Sequence, residues 1–168
     1  MKRRQPLPRL WLMTDERQGD ALWSALERLP RRAGIVFRHY GLKPGERRAL
    51  FERVRRIARA RGLVLIVAGQ PLPGGDGSHN RPGHGIRTAS AHNLREVRAA
   101  EQAGADLVFL SPVHETRSHP GARALGPRRF ALIAHQAKIP VIALGGMDAE
   151  KARALGGAYG WAAIDAWS

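Results

Sequence analysis

Short apolar runs alternate with helical segments along most of the chain, and this alternation constrains the fold more than any other feature. The runs predict strands at 10–15, 34–37, 63–67, 86–90, 107–110, 140–144 and 160–164. Most of them are apolar at consecutive positions, which is typical of strands buried on both faces of a parallel sheet. The segments between them predict helices at 21–29, 44–61, 94–102, 128–137 and from a cap at Asp148 to Leu155. The pattern therefore predicts an α/β fold with a parallel sheet covered by helices.

Residues 70–85 interrupt the alternation. They contain five glycines and three prolines and show no apolar periodicity, so no helix is predicted there, only a stub of strand at 76–79. Seven clear strands and this stub predict one domain, residues 1–168, with the fold of a (β/α)8 TIM-type barrel. The barrel is reduced, because the helices after strands three, four and eight are missing or vestigial. The alternative is an open doubly wound sheet, but no Gly-x-Gly-x-x-Gly follows the first strand, which disfavours a dinucleotide site.

Charge and composition limit the classes of ligand. The chain has 28 lysines and arginines against 14 acidic residues, a formal net charge of +14, and no cysteine. The charge suits phosphate, diphosphate or nucleic acid; arginines on solvated helix faces are the alternative explanation. The missing cysteines exclude disulfides and thiolate metal sites. No apolar run reaches transmembrane length and no signal-peptide pattern opens the sequence, so we expect no membrane association and a cytoplasmic protein.

Polar side chains follow several predicted strands at the end where α/β folds bind ligands. The loop after 107–110 carries hydroxyls, imidazoles and guanidiniums, and its alternative interpretation is an exposed basic connection. Gly145 and Gly146 precede a helix, where backbone N–H groups can bind a phosphate, although paired glycines also serve as plain turns. Arg38 offers a planar donor fork to a diphosphate, with a surface salt bridge as the alternative. The histidines form no helical i, i+4 pair, so no metal site is predicted, and His79 is assigned to an irregular loop.

Motifs at successive strand ends resemble, in order, those of the thiamine phosphate synthase family, including its thiazole tautomerase branch. The resemblance runs from Leu10 to the C-terminus. It implies a barrel enzyme that joins a pyrimidine diphosphate to a thiazole phosphate and releases diphosphate, with magnesium as cofactor. The matching segments are 10–15, 37–38, 76–79, 90–92, 103–106, 111–113, Thr116, Ser118, Pro120, Gly126, 140–146 and 160–166.

The resemblance also implies roles for individual residues. By position, Arg38, Thr116 and Ser118 would bind substrate, and Ser90 and His119 would be the catalytic candidates. The thiazole phosphate would be held by Gly145, Gly146, Asp165 and Ala166. The expected partners are therefore small phosphorylated substrates, a thiazole phosphate and a pyrimidine diphosphate.

The sequence departs from the family where magnesium and phosphate would bind. Ala68 and Gly69 stand where the family has Asn-Asp, and residues 80–82, Asn-Arg-Pro, supply no second carboxylate. No ligand set for magnesium is therefore found, although the ion is possible by family resemblance. The other departures are Tyr40 and His119 for two lysines, Asp165 for a serine, and Pro112 for the histidine of the tautomerase branch.

Three functions follow as hypotheses. The first is a transferase of the thiamine phosphate synthase type, and the second is a catalytically inactive paralogue that binds a phosphate ester. Nucleic-acid binding ranks last, because only 6% of the residues are aromatic and stacking platforms are scarce. We also predict a homo-oligomer, since strands three to five lack helices to cover their outer faces.

Overall fold

The computed structural model describes residues 5–117 and 120–167, and within them eight parallel strands close into a barrel. Neighbouring strands in the sequence pair with each other, and the first strand pairs with the last. The strands are β1 Leu10–Met13, β2 Gly34–Phe37, β3 Val64–Ala68, β4 Gly77–His79, β5 Ile86–Ala91, β6 Leu107–Leu110, β7 Val141–Ala143 and β8 Gly160–Ala163. The predicted reduced (β/α)8 barrel is confirmed, and the open-sheet alternative is wrong.

Helices cover only part of this barrel. Within the described residues none follows β3, β4 or β8, as predicted. The five α-helices are α1 Ala21–Arg28, α2 Pro44–Arg61, α3 Leu94–Gln102, α4 Gly126–Gln136 and α5 Ala149–Arg153. Alternate strand residues point inward and fill the barrel with large side chains, among which Trp11 meets Phe109 edge to face at 5.3 Å between ring centres. The other strand residues pack against the helices in two outer clusters.

The buried face of α2 differs from the predicted one. Sequence periodicity predicted a stripe of Leu50, Val54, Ile57 and Ala58 with the arginines outside it. In the structure Leu50 and Ile57 are only partly buried, and the innermost residues of α2 are Arg47, Phe51, Val54 and Ala58. These four follow the i, i+4, i+7, i+11 spacing of one helix face. An arginine therefore occupies the first turn of the buried face, 6% exposed.

Among the described residues no helix follows β4, and the backbone of this strand lies tightly against that of β5, where Gly77 pairs with Ile86. A Cβ on Gly77 would lie 1.9 Å from the carbonyl oxygen of Ile86, and one on Gly85 would lie 2.1 Å from that of Asp76. Asp76 also bonds to β3, since its N–H donates to the Leu65 oxygen at 2.7 Å and its carboxylate accepts from the Leu65 N–H at 2.8 Å. Glycines are thus required where the backbones touch.

The same loops cover the outer faces of β3 and β4. Leu65 and Val67 are 2% and 1% exposed, with Leu72 packed against their cluster, and Ser78 is 2% exposed. The expectation that the outer faces of strands three to five would be wet in a monomer is therefore wrong for β3 and β4. Four of the six residues of β5 are only half-buried. Self-association stays a prediction. Among the described residues, no helix is both long enough and apolar enough to cross a membrane.

Gly77→Ala tests the close contact between the backbones of β4 and β5. We expect the free energy of unfolding to fall by about 2–4 kcal/mol, because the new methyl meets a backbone carbonyl that cannot move aside. Gly45→Ala in α2 is the matched control. A Cβ there meets nothing within 4 Å, so stability should stay the same or rise by up to about 1 kcal/mol. Urea denaturation measures the free energy of unfolding of both variants. Equal effects would contradict the close contact at Gly77.

Candidate active site at the carboxyl end of the barrel

A cavity of about 330 Å³ opens at the carboxyl ends of the strands, between the loops that follow β2, β6, β7 and β8. It brings together residues that are far apart in the sequence. The predicted site residues on its wall are Arg38, Thr116, Gly145, Gly146, Asp165 and Ala166. Ser90 lies outside this wall, on β5, while Ser118 and His119 lie outside the described residues. No structural observation assigns a role to any of these residues, so their roles stay predictions.

The loop after β6 is fixed against the end of β7. The N–H of Val113 donates to the Leu144 oxygen at 2.9 Å, and that of His114 donates to the Gly145 oxygen at 3.1 Å. Gly145 has φ of 105°, and a Cβ there would lie 2.7 Å from the Cα of Pro112. Glycine is therefore needed both for the backbone conformation and for the close contact.

The glycine turn has the properties of an anion-binding site. Within residues 5–117 and 120–167, the backbone N–H groups of Gly145 and Gly146 donate no hydrogen bond to the chain, so both are available to a ligand. The ammonium of Lys151 lies 2.8 Å from the Gly146 oxygen and 3.3 Å from the carboxylate of Asp148, which offsets part of its charge. Lys151 was not predicted from the sequence, although its position in the first helical turn after the glycines was a usable signal.

Arg38 is held at the mouth by the end of β1. Its Nε donates to the Thr14 oxygen at 2.7 Å, and its Nη2 donates to Asp15 at 3.1 Å. Burial lowers the pKa of Arg38, and the charge of Asp15 opposes this shift. Burial also acts to raise the pKa of Asp15, but hydrogen bonds from Arg17 and the charge of Arg38 hold that pKa below its usual value. The carboxylate thus stays ionised and orients the guanidinium.

A second polar cluster lies at the ends of β4 and β5 and was missed in the sequence. His79 ends β4, where a stub of strand was predicted at 76–79, but its burial to 3% exposed was not predicted. Its Nδ1 lies 2.8 Å from Thr88 Oγ1 and its Nε2 lies 3.0 Å from Ser90 Oγ. The side chain of Asn80 accepts a bond from the Ser90 N–H at 2.7 Å. The imidazole therefore fixes the hydroxyl of Ser90, the residue that the family resemblance singles out.

The residues near the mouth do not fit a magnesium ion. Magnesium requires oxygen ligands, usually with a carboxylate among them. All 14 acidic residues fall within residues 5–117 and 120–167, and in this part of the chain no group of three or more His, Cys, Asp and Glu could hold a metal. Asp15 is bonded to arginines, and Glu16 accepts the Gly41 N–H at 2.6 Å.

Acid should destabilise the protein through His79. Burial, helped by the charge of Arg38, lowers the pKa of His79 to about 4. The unfolded chain, with a pKa near 6.5, then binds more protons between about pH 6.5 and pH 4, so the free energy of unfolding falls as the pH drops through this window. A shift of this size corresponds to about 3 kcal/mol.

The measurement is urea denaturation at several pH values between 7.5 and 4. His79→Gln should flatten the pH dependence, even if it lowers stability at neutral pH. His135→Gln, at an exposed position near the end of α4, serves as the control and should keep the wild-type slope. His39 is also buried with a lowered pKa, so some slope remains in the first variant. An unchanged slope in His79→Gln would overturn the assignment.

Comparison with known proteins identifies the family. The sequence model of the thiamine monophosphate synthase family matches residues 80–167, slightly more than half of the chain. A solved structure, thiamine phosphate pyrophosphorylase from Pyrococcus furiosus, superimposes with a TM-score of 0.77 and 25% identity. That match covers 94% of this chain and 85% of the other.

Two relatives agree with this match. A protein of Aquifex aeolicus assigned as thiamine-phosphate synthase 2 is 30% identical, over 94% of this chain and 96% of the relative. The thiamine-phosphate synthase of Geobacillus thermodenitrificans is 33% identical, over 74% of this chain and 66% of the relative. With the closed barrel and the rim cavity, these similarities show that the chain belongs to the thiamine monophosphate synthase family.

Proposed function

We propose that this protein is a transferase of thiamine biosynthesis that joins a hydroxymethylpyrimidine diphosphate to a thiazole phosphate. One observation carries the proposal. A single cavity brings Arg38, Thr116 and the Gly145–Gly146 turn together, although they come from three different strand ends. In barrel enzymes, ligands bind at this end, and phosphate commonly binds after strands seven and eight.

The two ends of the cavity suit two different phosphate groups. The free N–H groups of Gly145 and Gly146, with Lys151 beside them, suit the monophosphate of the thiazole. Arg38, which lines the same cavity from the end of β2, suits the diphosphate, because a guanidinium offers parallel donors to phosphate oxygens. This arrangement would place the thiazole ring between the two phosphate sites, against the pyrimidine carbon from which diphosphate leaves.

The residues then have distinct tasks in the proposed reaction. Arg38 would bind the departing diphosphate and offset its developing charge, since Asp15 already fixes the guanidinium. By family resemblance Ser90 would contact the same group, although it lies outside the cavity wall, where His79 bonds its hydroxyl and Asn80 its N–H. The thiazole nitrogen would attack the pyrimidine carbon as the carbon–oxygen bond to diphosphate breaks. Positioning the two substrates would supply much of the rate.

The second candidate is a catalytically inactive paralogue that binds a phosphate ester. The specific observation in its favour is the loss of the family's carboxylates at Gly69 and Asn80. In this case, the Gly145–Gly146 turn would still bind its ligand. Both candidates should bind a phosphate ester at this turn, but only the first should convert the two substrates into thiamine phosphate.

Turnover of both substrates tests the first candidate. Purified protein with the pyrimidine diphosphate and the thiazole phosphate should form thiamine phosphate, with and without magnesium. Arg38→Gln should lower kcat/KM at least tenfold through the lost guanidinium. Arg48→Gln, on the exposed face of α2, should leave it unchanged. Calorimetric binding of thiazole phosphate without turnover would establish the paralogue instead, and neither binding nor turnover would reject both candidates.

Asp165 should weaken the binding of thiazole phosphate. Its exposed carboxylate lies on the wall of the cavity that holds the glycine turn, where a negative charge repels a phosphate. Asp165→Ser should tighten binding about three- to tenfold at low ionic strength, with a smaller effect at high salt. The control is Glu27→Gln, which removes an exposed carboxylate from α1, outside the cavity wall. Calorimetry that finds equal or weaker binding for Asp165→Ser would contradict this placement of the phosphate.

A further inference from the structure

Arg47 brings a buried positive charge to the carboxyl ends of two strands. Its guanidinium enters the carboxyl ends of β2 and β3 from the first turn of α2. Nε donates to the His39 oxygen at 3.1 Å and Nη1 donates to the Gln70 oxygen at 2.8 Å. Nη2 donates to the oxygens of Arg38 and Ala68. One buried positive charge thus satisfies four carbonyl groups that end these two strands.

The neighbouring residue cannot supply a carboxylate in this arrangement. Gly69 has φ of 70°, and a Cβ there would lie 3.0 Å from the Tyr40 ring and 3.7 Å from Nη2 of Arg47. Its position is therefore filled by a ring and a guanidinium. Beyond the neighbouring strand β4, the side-chain oxygen of Asn80 already accepts a hydrogen bond from the Ser90 N–H. The oxygen atoms around this part of the mouth are bonded to N–H groups, and a divalent ion would also meet the fixed charge of Arg47.

A guanidinium donor remains available for an anion. Nη1 of Arg38 makes no hydrogen bond with the rest of the described chain, whereas its Nε and Nη2 hold β1. Arg38 and Arg117 both line the cavity and a second hollow beside it, above Thr14 and Tyr40. Two guanidiniums therefore face one space at the mouth, which Asp15 and Glu16 also line. Asp15 is bonded to Arg17 and Arg38, and Glu16 accepts the Gly41 N–H. The guanidiniums can offer forked donors to the oxygens of a diphosphate.

We infer that this protein binds the diphosphate group of its substrate without a divalent cation, using Arg38 and Arg117 at a mouth where Arg47 replaces the metal site. The inference rests on the proposed function, because it concerns the diphosphate of the same cavity. It separates this chain from the magnesium dependence that its family resemblance implies. The effect of magnesium on diphosphate affinity can be measured. Free magnesium should weaken binding, because it would compete with the protein for diphosphate instead of bridging the two.

Calorimetry with inorganic pyrophosphate tests the inference in the absence of any reaction. The dissociation constant in EDTA should be equal to, or lower than, that in millimolar magnesium. A tenfold or greater tightening by magnesium would overturn it, and so would the absence of binding in EDTA. Manganese titration followed by electron paramagnetic resonance gives an independent measurement with the metal alone. We expect no saturable site below about millimolar concentration, and a tight stoichiometric site would overturn the inference.

Variants locate the pyrophosphate site. Arg38→Gln should weaken pyrophosphate binding in EDTA at least tenfold, and Arg38→Lys should restore only part of it, because an ammonium lacks the planar fork. Arg48→Gln should bind as the wild type does. Thermal unfolding checks that each variant is folded, and Arg117→Gln provides a second loss-of-binding variant in case Arg38→Gln is not. Wild-type affinity in folded Arg38→Gln and Arg117→Gln would refute the assignment.

The pyrophosphate measurements distinguish a failure of the metal-free site from a failure of the proposed function. Pyrophosphate binding that requires magnesium, together with turnover, would leave the function standing and reject the metal-free site. Metal-free pyrophosphate binding without turnover or thiazole phosphate binding would support the site and reject the function.

Discussion

The structure depends on one backbone constraint: a closed parallel barrel must bring β3, β4 and β5 side by side although the connections between them are too short for helices. A parallel connection normally needs a dozen or more residues and a covering helix. Here residues 69–76 and 80–85 make the two connections. At these connections the backbones of β4 and β5 approach so closely that Gly77 and Gly85 leave no room for a Cβ. The glycines of this region are thus part of the closure of the barrel, and the loops take over the covering role of the missing helices.

This closure sets the chemistry of the mouth. With no helix after β3, the long helix α2 is the neighbour that can reach the ends of β2 and β3, and it does so with Arg47. Burial lowers the pKa of this guanidinium, and the Tyr40 side chain opposes the shift. The cost of burying a charge is offset by its four carbonyl partners. A positive charge is therefore part of the fold itself, whereas an enzyme with an ion at this place adds its charge on binding.

Much of the fold was predictable, because strands buried on both faces are recorded in the sequence as consecutive apolar residues. The strand at 107–110 was predicted with its observed bounds, and Pro44 and Gly62 marked the ends of α2. The buried polar residues were harder to predict. Nothing around His79 signals burial, because its partners Thr88 and Ser90 come from the next strand, and tertiary pairing alone makes the site. Arg47 was a different case: its spacing from Phe51 and Val54 was visible, but arginines are mostly exposed. Among the cavity residues, Arg38 and the Gly145–Gly146 turn were candidates from their positions after strands, whereas Asp165 and Ala166 came from family resemblance alone.

The difference between a resident guanidinium and a divalent ion bears on binding and rate separately. Arg38 is already oriented by Asp15 and Thr14 before any ligand arrives, so little reorganisation is needed to bind a diphosphate. However, a guanidinium carries one positive charge where a divalent ion carries two, so it offsets less of the charge that develops as the bond to carbon breaks. Only the part of the interaction that grows in the transition state raises the rate, and uniform binding does not. A site built from arginines should therefore retain diphosphate well and accelerate its departure less than a metal ion would. Tight binding of the ligand and slow chemistry are then two consequences of the same substitution of protein charge for metal charge.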